Sequence, residues 1–526
     1  MLFQLKNRLL KTLNDSFGTI KKEGFNFDLI KRYKGNKLSN NPQQILSDQT
    51  CNDLDFDLFF CYVDRTNSKI GQQYLYNKLR TINYTSVDFS QQEEIIDFLN
   101  QNPADRLEIQ LQLQKLNQKQ TYYLVDLFQE EIEQKSKWHV LFPILSFIAL
   151  ALIPLSFFSS IAALSLLVLI PIHVLIHFGF KRKTTLFINS IPSLLSLGAV
   201  AKYLFKYPIL TKSNPELEKS LKVISAIRRK MSFFKLEQKI DSDMEAAYWF
   251  LLEFIKIIFL LEPLLYFSSL DKLKNKSTDI ENIFNFVGLV DCYISICSLR
   301  KGVDEYCIPK FTDQKKQLQF ENLRHPLIVD CVSNSIDSTK SMLLTGSNMS
   351  GKTTFIRSIG LNFISGITLN TCFSSSATLP LTQLFSIIRI EDDLMSASSY
   401  FFKEVDEIKT ILNETEKNSC SIILLDELFK GTNTIERIAA AKAVLSYLEK
   451  FDNKIFVSTH DIELTDLLKE HFELFHFSEK IVDEKIQFDY KLKEGKPEKG
   501  NAIRILELNG FPKEIVDEAK GIVAKS

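Results

Sequence analysis

Residues 341–354 read SMLLTGSNMSGKTT, an apolar run followed at once by a loop with two glycines and a lysine. The run at 341–345 fits a buried strand, and residues 355–363 fit a helix. A strand, a G-x-x-x-x-G-K-T loop and a helix in this order form a P-loop, whose backbone N–H groups hold phosphates at the positive end of the helix. The stretch therefore predicts a nucleotide site in an α/β sheet.

The loop also supplies side chains for the phosphates and for a metal ion. Lys352 should reach the β and γ phosphates, and the hydroxyl of Thr353 suits Mg²⁺, which prefers oxygen ligands. ATP and Mg²⁺ are therefore the expected cofactors. The predicted nucleotide-binding residues of the loop are Gly346, Ser347, Asn348, Met349, Ser350, Gly351, Lys352, Thr353 and Thr354.

A second apolar strand, residues 420–425, ends in Asp426 and Glu427. This position suits a carboxylate that holds Mg²⁺ through water, Asp426, and one that polarises the attacking water, Glu427. An Asp-Glu pair after a strand is often only a solvated loop start, but the upstream P-loop favours the catalytic interpretation. We predict Thr353 and Asp426 as metal ligands and Glu427 as catalytic.

A third strand, residues 454–457, leads into His460. A single histidine at the end of a strand is more often structural than catalytic. In a P-loop sheet, however, a histidine at this place can sense the γ-phosphate. We therefore add His460 to the predicted catalytic residues.

These segments, in this order, resemble the MutS family. The loop at 346–354 is similar to the family's GPNMxGKST, with Asn348 and Met349 as the distinguishing residues. Residues 321–326, which include His325, resemble the family's strand entry near the adenine. The other matching segments are 390–394 with Ser399, Phe401 and Glu404 (a DD-containing loop), Asp426-Glu427 with Gly431-Thr432-Asn433-Thr434 (Walker B and signature), Thr459-His460 (a switch histidine), and 500–512 with 515–519 (a helical ending).

The resemblance implies a homodimeric ATPase, paired through its ATPase domains, in which the signature helix of one subunit faces the nucleotide of the other. It adds His325, Asn433 and Thr434 to the predicted nucleotide-binding residues. Ser347 stands where the family has Pro, and Asn433 where it has Ser, but Asn433 can still donate a hydrogen bond to a phosphate. The expectation is slow, Mg²⁺-dependent ATP hydrolysis.

The resemblance extends into the first half of the chain. Residues 48–54 and 64–66, then Gly71, look like the start of the MutS core domain, and 291–309 looks like its last helix. Only residues 1–47 precede that core. We therefore expect a truncated relative without the mismatch-recognition and connector domains.

Residues 138–180 contain no Asp, Glu, Lys or Arg. The stretch is long enough for two membrane-crossing helices of about twenty residues each, with a break near Pro154 and Ser159. Basic residues flank both ends, which predicts that both ends face the cytoplasm. His173 and His177 fit an interfacial position near the basic end. The alternative is a buried helical hairpin, but such helices usually keep a polar face.

The predicted fold class is α plus α/β. Short β-branched or apolar runs alternate with helical segments only after about residue 320, whereas the first three hundred residues are mostly helical. We expect a protein of the cytoplasmic membrane, with both termini and the ATPase domain in the cytoplasm. The predicted domains are a helical MutS-core-like part (1–137), a transmembrane hairpin (138–183), a helical lever (184–318), and a P-loop ATPase domain with a C-terminal dimerisation segment (319–526).

Composition limits the function further. Lys plus Arg and Asp plus Glu are both 64, so the chain lacks the global basic excess typical of nucleic-acid binding. The eight cysteines form no C-x-x-C pair, which favours reduced thiols over a zinc site. The first hypothesis is a membrane-tethered, MutS-related ATPase that binds DNA non-specifically, without mismatch readout.

The second hypothesis is a membrane-anchored, ATP-driven switch that acts on a protein partner and binds no DNA. The neutral charge favours it, and so does the hairpin, which lies about where the family carries its DNA clamp. A transporter is disfavoured because two spans per chain give a dimer only four helices. A non-hydrolysing relative is disfavoured because Lys352, Thr353, Asp426, Glu427 and His460 are all in place.

Overall fold

The computed structural model describes most of the chain. Asn348 and the predicted DD-containing loop at 390–394, with Ser399, lie outside the described residues, as does most of the predicted C-terminal segment at 500–509. The described residues are 2–35, 43–85, 87–129, 137–212, 214–230, 253–273, 275–347, 349–389, 400–418, 420–482, 485–497, 506–507 and 510–523.

Helices and strands alternate in the second part of the chain, whereas the first part is almost wholly helical, so the predicted mixture of helix and sheet is confirmed. The helices are α1 (Leu2–Ser16), α2 (Phe27–Ile30), α3 (Asp48–Asp53), α4 (Phe56–Val63), α5 (Lys69–Arg80), α6 (Ser90–Gln101), α7 (Pro103–Leu113), α8 (Asp126–Gln129), α9 (Leu141–Leu155), α10 (Ser160–Leu204), α11 (Pro208–Thr211), α12 (Leu217–Lys230), α13 (Leu261–Leu273), α14 (Ser277–Gly302), α15 (Lys352–Leu369), α16 (Tyr400–Asn418), α17 (Thr434–Leu448), α18 (Glu463–Leu468) and α19 (Lys513–Val523). The strands are β1 (Gln43–Ile45), β2 (Thr81–Asn83), β3 (Lys310–Thr312), β4 (Leu318–Leu323), β5 (Asn334–Ser338), β6 (Ser341–Thr345), β7 (Ser376–Pro380), β8 (Gln383–Ile387), β9 (Ser421–Asp426), β10 (Lys454–Ser458), β11 (Phe472–His476), β12 (Glu479–Val482), β13 (Lys485–Phe488) and β14 (Lys493–Glu494).

The chain forms two units, each built from separated segments. The first comprises residues 1–35, 64–77 and 91–298, and the second comprises 36–63, 78–90 and 299–526. The second unit thus takes in two short segments from the first hundred residues. The sequence pattern alone did not indicate this exchange.

The first unit is helical, and the buried carboxylate of Asp291 binds the backbone just before α5. Asp291 accepts hydrogen bonds from the backbone N–H groups of Asn67 and Ser68, both at 2.8 Å. A side chain at Gly71 would place its Cβ 2.2 Å from the Asp291 carboxylate, so this close approach requires glycine. Asp291, in the segment that resembles the last core helix, therefore binds the residues that follow 64–66 and closely approaches Gly71.

The predicted apolar hairpin is present as two helices, α9 and α10, with a turn at residues 156–159. Helix α10 continues past the predicted limit at residue 183, because the basic residues there do not interrupt a helix. By length and composition, Ser160–Gly179 could cross a membrane: its mean hydropathy is 2.4 and only 17% of it is buried. The other long apolar helix among the described residues, Ser277–Gly302, is 83% buried, as expected of a core helix.

One side of the hairpin is covered by α13. Phe142 of α9 stacks on Phe267 of α13, with ring centroids 5.7 Å apart. Just before α13, Glu253 contacts His177 of α10 at 3.1 Å. His177 is therefore buried inside the helical unit. The interfacial position that the sequence suggested does not account for its contact with Glu253.

The second unit contains two larger sheets. Five parallel strands and one antiparallel edge strand form the first, in the order β14-β11-β6-β10-β9-β8. The second sheet has the order β3-β7-β4-β5. Strands β6 and β10 are buried along their whole length, as expected for parallel strands that are covered on both faces. One hydrophobic core of the unit lies between the six-stranded sheet and helices α16, α17 and α18.

Two carboxylates attach residues 36–63 to the rest of the second unit. Asp53 accepts hydrogen bonds from the Ser386 hydroxyl at 2.6 Å and from the Arg389 N–H at 2.7 Å, just after β8. Asp55 contacts Arg357 of α15 at 3.1 Å. Helix α3 therefore packs with β8, in the sheet whose strands carry the predicted nucleotide site.

Candidate nucleotide site

Strand register brings the predicted site residues to one edge of the six-stranded sheet. Ser458 on β10 is paired with Leu344 on β6 and with Asp426 on β9. The carboxyl ends of these three parallel strands therefore lie at the same level. The P-loop follows the first strand, Glu427 follows the second, and His460 follows the third, so the three motifs meet there.

The P-loop backbone requires its glycines. Gly346 has φ 138°, and a Cβ there would lie 2.4 Å from the carbonyl oxygen of Phe477. Gly351 has φ 107° at the start of α15, again in the left-handed region. Met349 also has a left-handed backbone, with φ 70°, and its side chain is 82% exposed. These left-handed residues therefore give the loop the tight curl expected of the predicted phosphate-binding loop.

Lys352 lies inside this curl. Its Nζ donates to the carbonyl oxygens of Gly346 at 2.7 Å and Ser347 at 2.9 Å. The side chain is only 5% exposed, and burial lowers the pKa of its ammonium group, while Asp426 and Glu427 oppose that shift. The ammonium group is thus held by the loop's own carbonyl oxygens, inside the loop that is predicted to bind phosphate.

The two predicted metal ligands contact each other directly. The hydroxyl of Thr353 donates to one carboxylate oxygen of Asp426 at 2.8 Å, and the hydroxyl of Ser458 contacts the other oxygen. Within the described ranges, no cluster of three or more His, Cys, Asp or Glu side chains could hold a metal by itself. A hydroxyl and a single carboxylate nevertheless fit Mg²⁺, which uses one or two carboxylates together with substrate phosphates and water.

Glu427 is held from three sides. Its N–H donates to the Ser458 carbonyl at 2.9 Å, in a backbone with φ 53°. Its carboxylate contacts His460 Nε2 at 2.5 Å and Lys430 Nζ at 2.8 Å. The hydrogen bond from His460, followed by that from Lys430, lowers the pKa of Glu427 to about 2. The carboxylate is therefore ionised at neutral pH and oriented at the sheet edge.

A cavity of about 660 Å³ opens at this edge. It is lined by Ser347, residues 349–355, Glu427, residues 328–332 and Tyr490, among others. This volume lies within the range of about 300–1,000 Å³ that small-molecule and cofactor sites occupy. The predicted loop and the predicted catalytic carboxylate therefore share one cavity.

Tyr490 was not predicted. Its ring is stacked on Phe488, with centroids 5.9 Å apart, and its Cδ1 would lie 3.3 Å from a Cβ at Gly351. It has φ 51° and is partly exposed. An aromatic ring at the wall of a nucleotide-sized cavity can stack on a base. No motif in the sequence distinguished this tyrosine from the other fifteen in the chain.

His325 lies behind the cavity wall rather than on it. Its Nδ1 accepts the N–H of Leu327 at 3.3 Å, and burial, helped by the charge of Arg357, lowers the pKa of His325 to about 4. The histidine is therefore neutral at physiological pH. It is placed to support the following loop, residues 328–332, which does line the cavity.

The predicted signature residues open helix α17. The Asn433 side chain accepts the N–H of Glu436 at 3.0 Å and so caps the helix, while Thr432 donates to the Glu436 carboxylate at 2.9 Å. Asn433 and Thr434 are exposed and do not line the cavity that contains the P-loop of the same chain. A helix start with exposed N–H groups is nevertheless suited to phosphate binding.

Glu404, part of the predicted DD-containing segment, contacts the loop that follows Glu427. It is 1% exposed and accepts the N–H of Phe429 at 2.5 Å. Burial raises the pKa of Glu404. The ring of Phe401, one turn earlier, packs on Phe429, with centroids 6.1 Å apart. These contacts fix the loop between Glu427 and the start of α17.

Comparison with known proteins adds to the motifs. A family model described as MutS domain V matches residues 342–525. DNA mismatch repair protein MutS of Petrotoga mobilis is 33% identical over 287 residues, which is 52% of this chain and 34% of that relative. The proteins of the same name from Aquifex pyrophilus and Listeria welshimeri are 31% and 30% identical over 48% and 56% of this chain. The chain spans about a third of the length of these relatives.

Proposed function

Because the chain belongs to the MutS family, we propose that its second unit binds ATP with Mg²⁺ and hydrolyses it. The observation that carries this proposal is the convergence of Lys352, Thr353, Asp426 and Glu427 at one sheet edge, beside a cavity of about 660 Å³. We expect the region at 319–526 to work as a P-loop ATPase domain.

Each residue has a separate part in the proposed reaction. Water attacks the γ-phosphorus, the bond to the bridging oxygen breaks, and ADP and phosphate leave. Lys352 and the loop N–H groups neutralise phosphate charge, and Thr353 and Asp426 would hold Mg²⁺. Mg²⁺ bound by these two residues would supply further charge neutralisation on the phosphates.

Glu427 orients and polarises the attacking water. A carboxylate whose pKa is about 2 is a weak base at neutral pH, so its main effect is orientation and electrostatic stabilisation rather than full proton removal. His460 and Lys430 hold the carboxylate in one direction. His460 is therefore proposed as the residue that positions Glu427 and links it to the γ-phosphate.

The chain is proposed to act as a homodimer. Asn433 and Thr434 are exposed at the start of α17 and lie away from the cavity of their own chain, which suits residues that complete the site of a second copy. Family membership supports the same arrangement.

The membrane attachment is a further part of the proposal. Ser160–Gly179 has the length and hydropathy of a spanning helix and is largely unburied, and α9 precedes it as a shorter apolar helix. We propose that residues 138–183 insert as a hairpin into the cytoplasmic membrane. Both termini and the ATPase unit would then lie in the cytoplasm.

We propose that the chain binds DNA and that it does so without recognising mismatches. The support is the relatives, which are named DNA mismatch repair proteins. The second candidate is an ATP-driven membrane switch for a protein partner. It is favoured by the equal numbers of acidic and basic residues, 64 of each, which provide no general attraction for DNA.

Steady-state ATP hydrolysis by the detergent-purified chain, with and without duplex, branched or single-stranded DNA, separates the two candidates. Stimulation that declines as salt is added supports DNA binding, because phosphate contacts release counterions. Hydrolysis that no DNA changes, at low salt as well, rejects the DNA proposal and favours the switch.

A further inference from the structure

Two cysteines of the second unit face each other across an isolated antiparallel bridge. The N–H of Cys307 donates to the carbonyl of Cys372 at 2.9 Å, and the N–H of Cys372 donates back to Cys307 at 2.9 Å. Residues that exchange both hydrogen bonds have Cα atoms about 5.5 Å apart. That separation lies within the range of roughly 4.4–6.8 Å that disulfides span.

The two thiols differ in environment. Cys307 is half-buried, and its sulfur lies 3.3 Å from the Ser374 hydroxyl. Cys372 is completely buried. The hydrogen bond from the Cys372 thiol, and then that from Ser374, lowers the pKa of Cys307 to about 7, whereas burial raises the pKa of Cys372. Cys307 is thus both the more accessible sulfur and the better nucleophile.

We propose that Cys307 and Cys372 form a redox-active pair that closes to a disulfide on exposure to a peroxide. The Cys307 thiolate attacks one peroxide oxygen, the O–O bond breaks, and the leaving hydroxide takes up a proton as water. The resulting sulfenic acid is then attacked by the Cys372 sulfur, which forms the S–S bond and releases a second water. The two sulfurs lose two electrons in total, and the peroxide gains them.

The surrounding backbone favours this step over simple overoxidation. The bridge already holds the two residues opposite each other, so the second thiol lies beside the first. Nearby, Arg300 donates to the Asn370 carbonyl at 2.8 Å and to the Thr371 hydroxyl at 3.0 Å. The disulfide would therefore join the segment after α14 to the segment after α15. Backbone hydrogen bonds already connect these two segments.

A disulfide at this position would affect the rest of the second unit. Cys372 lies three residues after the last residue of α15, the helix that begins at Lys352. A covalent link there restrains the end of the helix that starts in the P-loop. The chemistry of the pair itself does not depend on the function proposed above, since it requires only the thiols and an oxidant.

Peptide mapping of the full-length protein tests the proposal. The detergent-purified chain is treated with increasing hydrogen peroxide, free thiols are blocked with iodoacetamide, and the protein is digested without reductant for mass spectrometry. We expect a linked peptide pair containing Cys307 and Cys372, lighter than the two thiol peptides by two hydrogen atoms. Dithiothreitol should remove the link, and Cys331→Ser, a change at another half-buried cysteine of the unit, should leave it unchanged.

A second measurement tests the assigned order of attack. In Cys372→Ser the sulfenic acid on Cys307 has no resolving thiol, so dimedone should label Cys307 after peroxide treatment. In the wild-type chain the same label should be weak because the disulfide forms first. The proposal is overturned if both cysteines carry the iodoacetamide label after oxidation, or if Cys307 reaches sulfinic acid in the wild-type chain without a link to Cys372.

Discussion

At the scale of single residues, the decisive contact is the one that orients Glu427. His460 and Lys430 bind its two carboxylate oxygens, at 2.5 Å and 2.8 Å. The sequence placed Glu427 and His460 at neighbouring strand ends, and their contact follows from strand register. Lys430 was not among the predicted site residues. The lysine's contact depends on the left-handed turn at Glu427 and the fold of the loop behind it, which no local pattern encodes.

Glu427→Gln removes the charge and keeps the shape of the side chain. We expect ATP binding to change little and turnover to fall by about 100-fold or more, the usual loss when a preorganised group that stabilises the transition state is removed. Fluorescent-nucleotide titration and steady-state hydrolysis measure the two effects. Glu470→Gln, an exposed change in the same unit, is the matched control. Turnover within a few-fold of wild type would contradict the role given to Glu427.

The lowered pKa of Glu427 also makes a prediction about stability. Its pKa falls from 4.5 to about 2 on folding, so the ionised carboxylate stabilises the folded chain above pH 4.5, and this contribution is lost as pH falls toward 2. The difference in unfolding midpoint between the wild-type chain and Glu427→Gln should therefore shift against the wild type as pH is lowered through that window. A difference that stays constant from pH 6 to pH 3 would show that the carboxylate is not held as described.

At the scale of elements, the P-loop strand and helix could be predicted from their order and their spacing. The extent of α10 could not, because neither the basic residues 181–183 nor Pro192 ends the helix, which runs to Leu204. The packing of α13 on the hairpin was also hidden in the sequence. Its apolar contacts come from residues more than a hundred positions away, such as Phe142.

The hairpin makes a prediction about membrane attachment. Leu167 is 70% exposed on α10, within the segment proposed to contact lipid. An arginine in the middle of a spanning helix costs about 2.5–3.5 kcal/mol in insertion assays. We expect the wild-type chain to stay with membranes after alkaline carbonate extraction, and Leu167→Arg to be released or degraded.

Leu467→Arg is the control for that experiment, because this leucine is 52% exposed on α18 of the second unit. It should remain with the membrane fraction like the wild type. Complete extraction of the wild-type chain by carbonate would favour the alternative, a hairpin that packs against protein rather than lipid.

At the scale of the whole molecule, the sequence indicated helix first and sheet afterwards, and that order is confirmed. It did not show that residues 36–63 and 78–90 belong with the sheet unit. Asp53 is the reason: its carboxylate accepts hydrogen bonds from the backbone just after β8, more than three hundred residues later. Local periodicity describes the helix that carries Asp53 but not the surface that the helix meets.

The proposed homodimer predicts complementation between two inactive chains. Lys352→Ala should disable the site of its own chain, whereas Asn433→Arg should disable the site of the other chain. In a mixture, some dimers combine one intact loop with one intact signature. We expect hydrolysis well above that of either variant alone, and size-exclusion chromatography with light scattering should show dimers. No gain on mixing would contradict a composite site.

The central claim is that the P-loop edge of the second unit binds and hydrolyses ATP. The most direct test is release of phosphate from ATP by the detergent-purified full chain, with Mg²⁺ or with excess EDTA, beside Lys352→Ala prepared in the same way. We predict slow turnover that requires Mg²⁺ and that the Lys352→Ala chain lacks. Equal phosphate release by both chains, or release that persists in EDTA, would contradict the assignment.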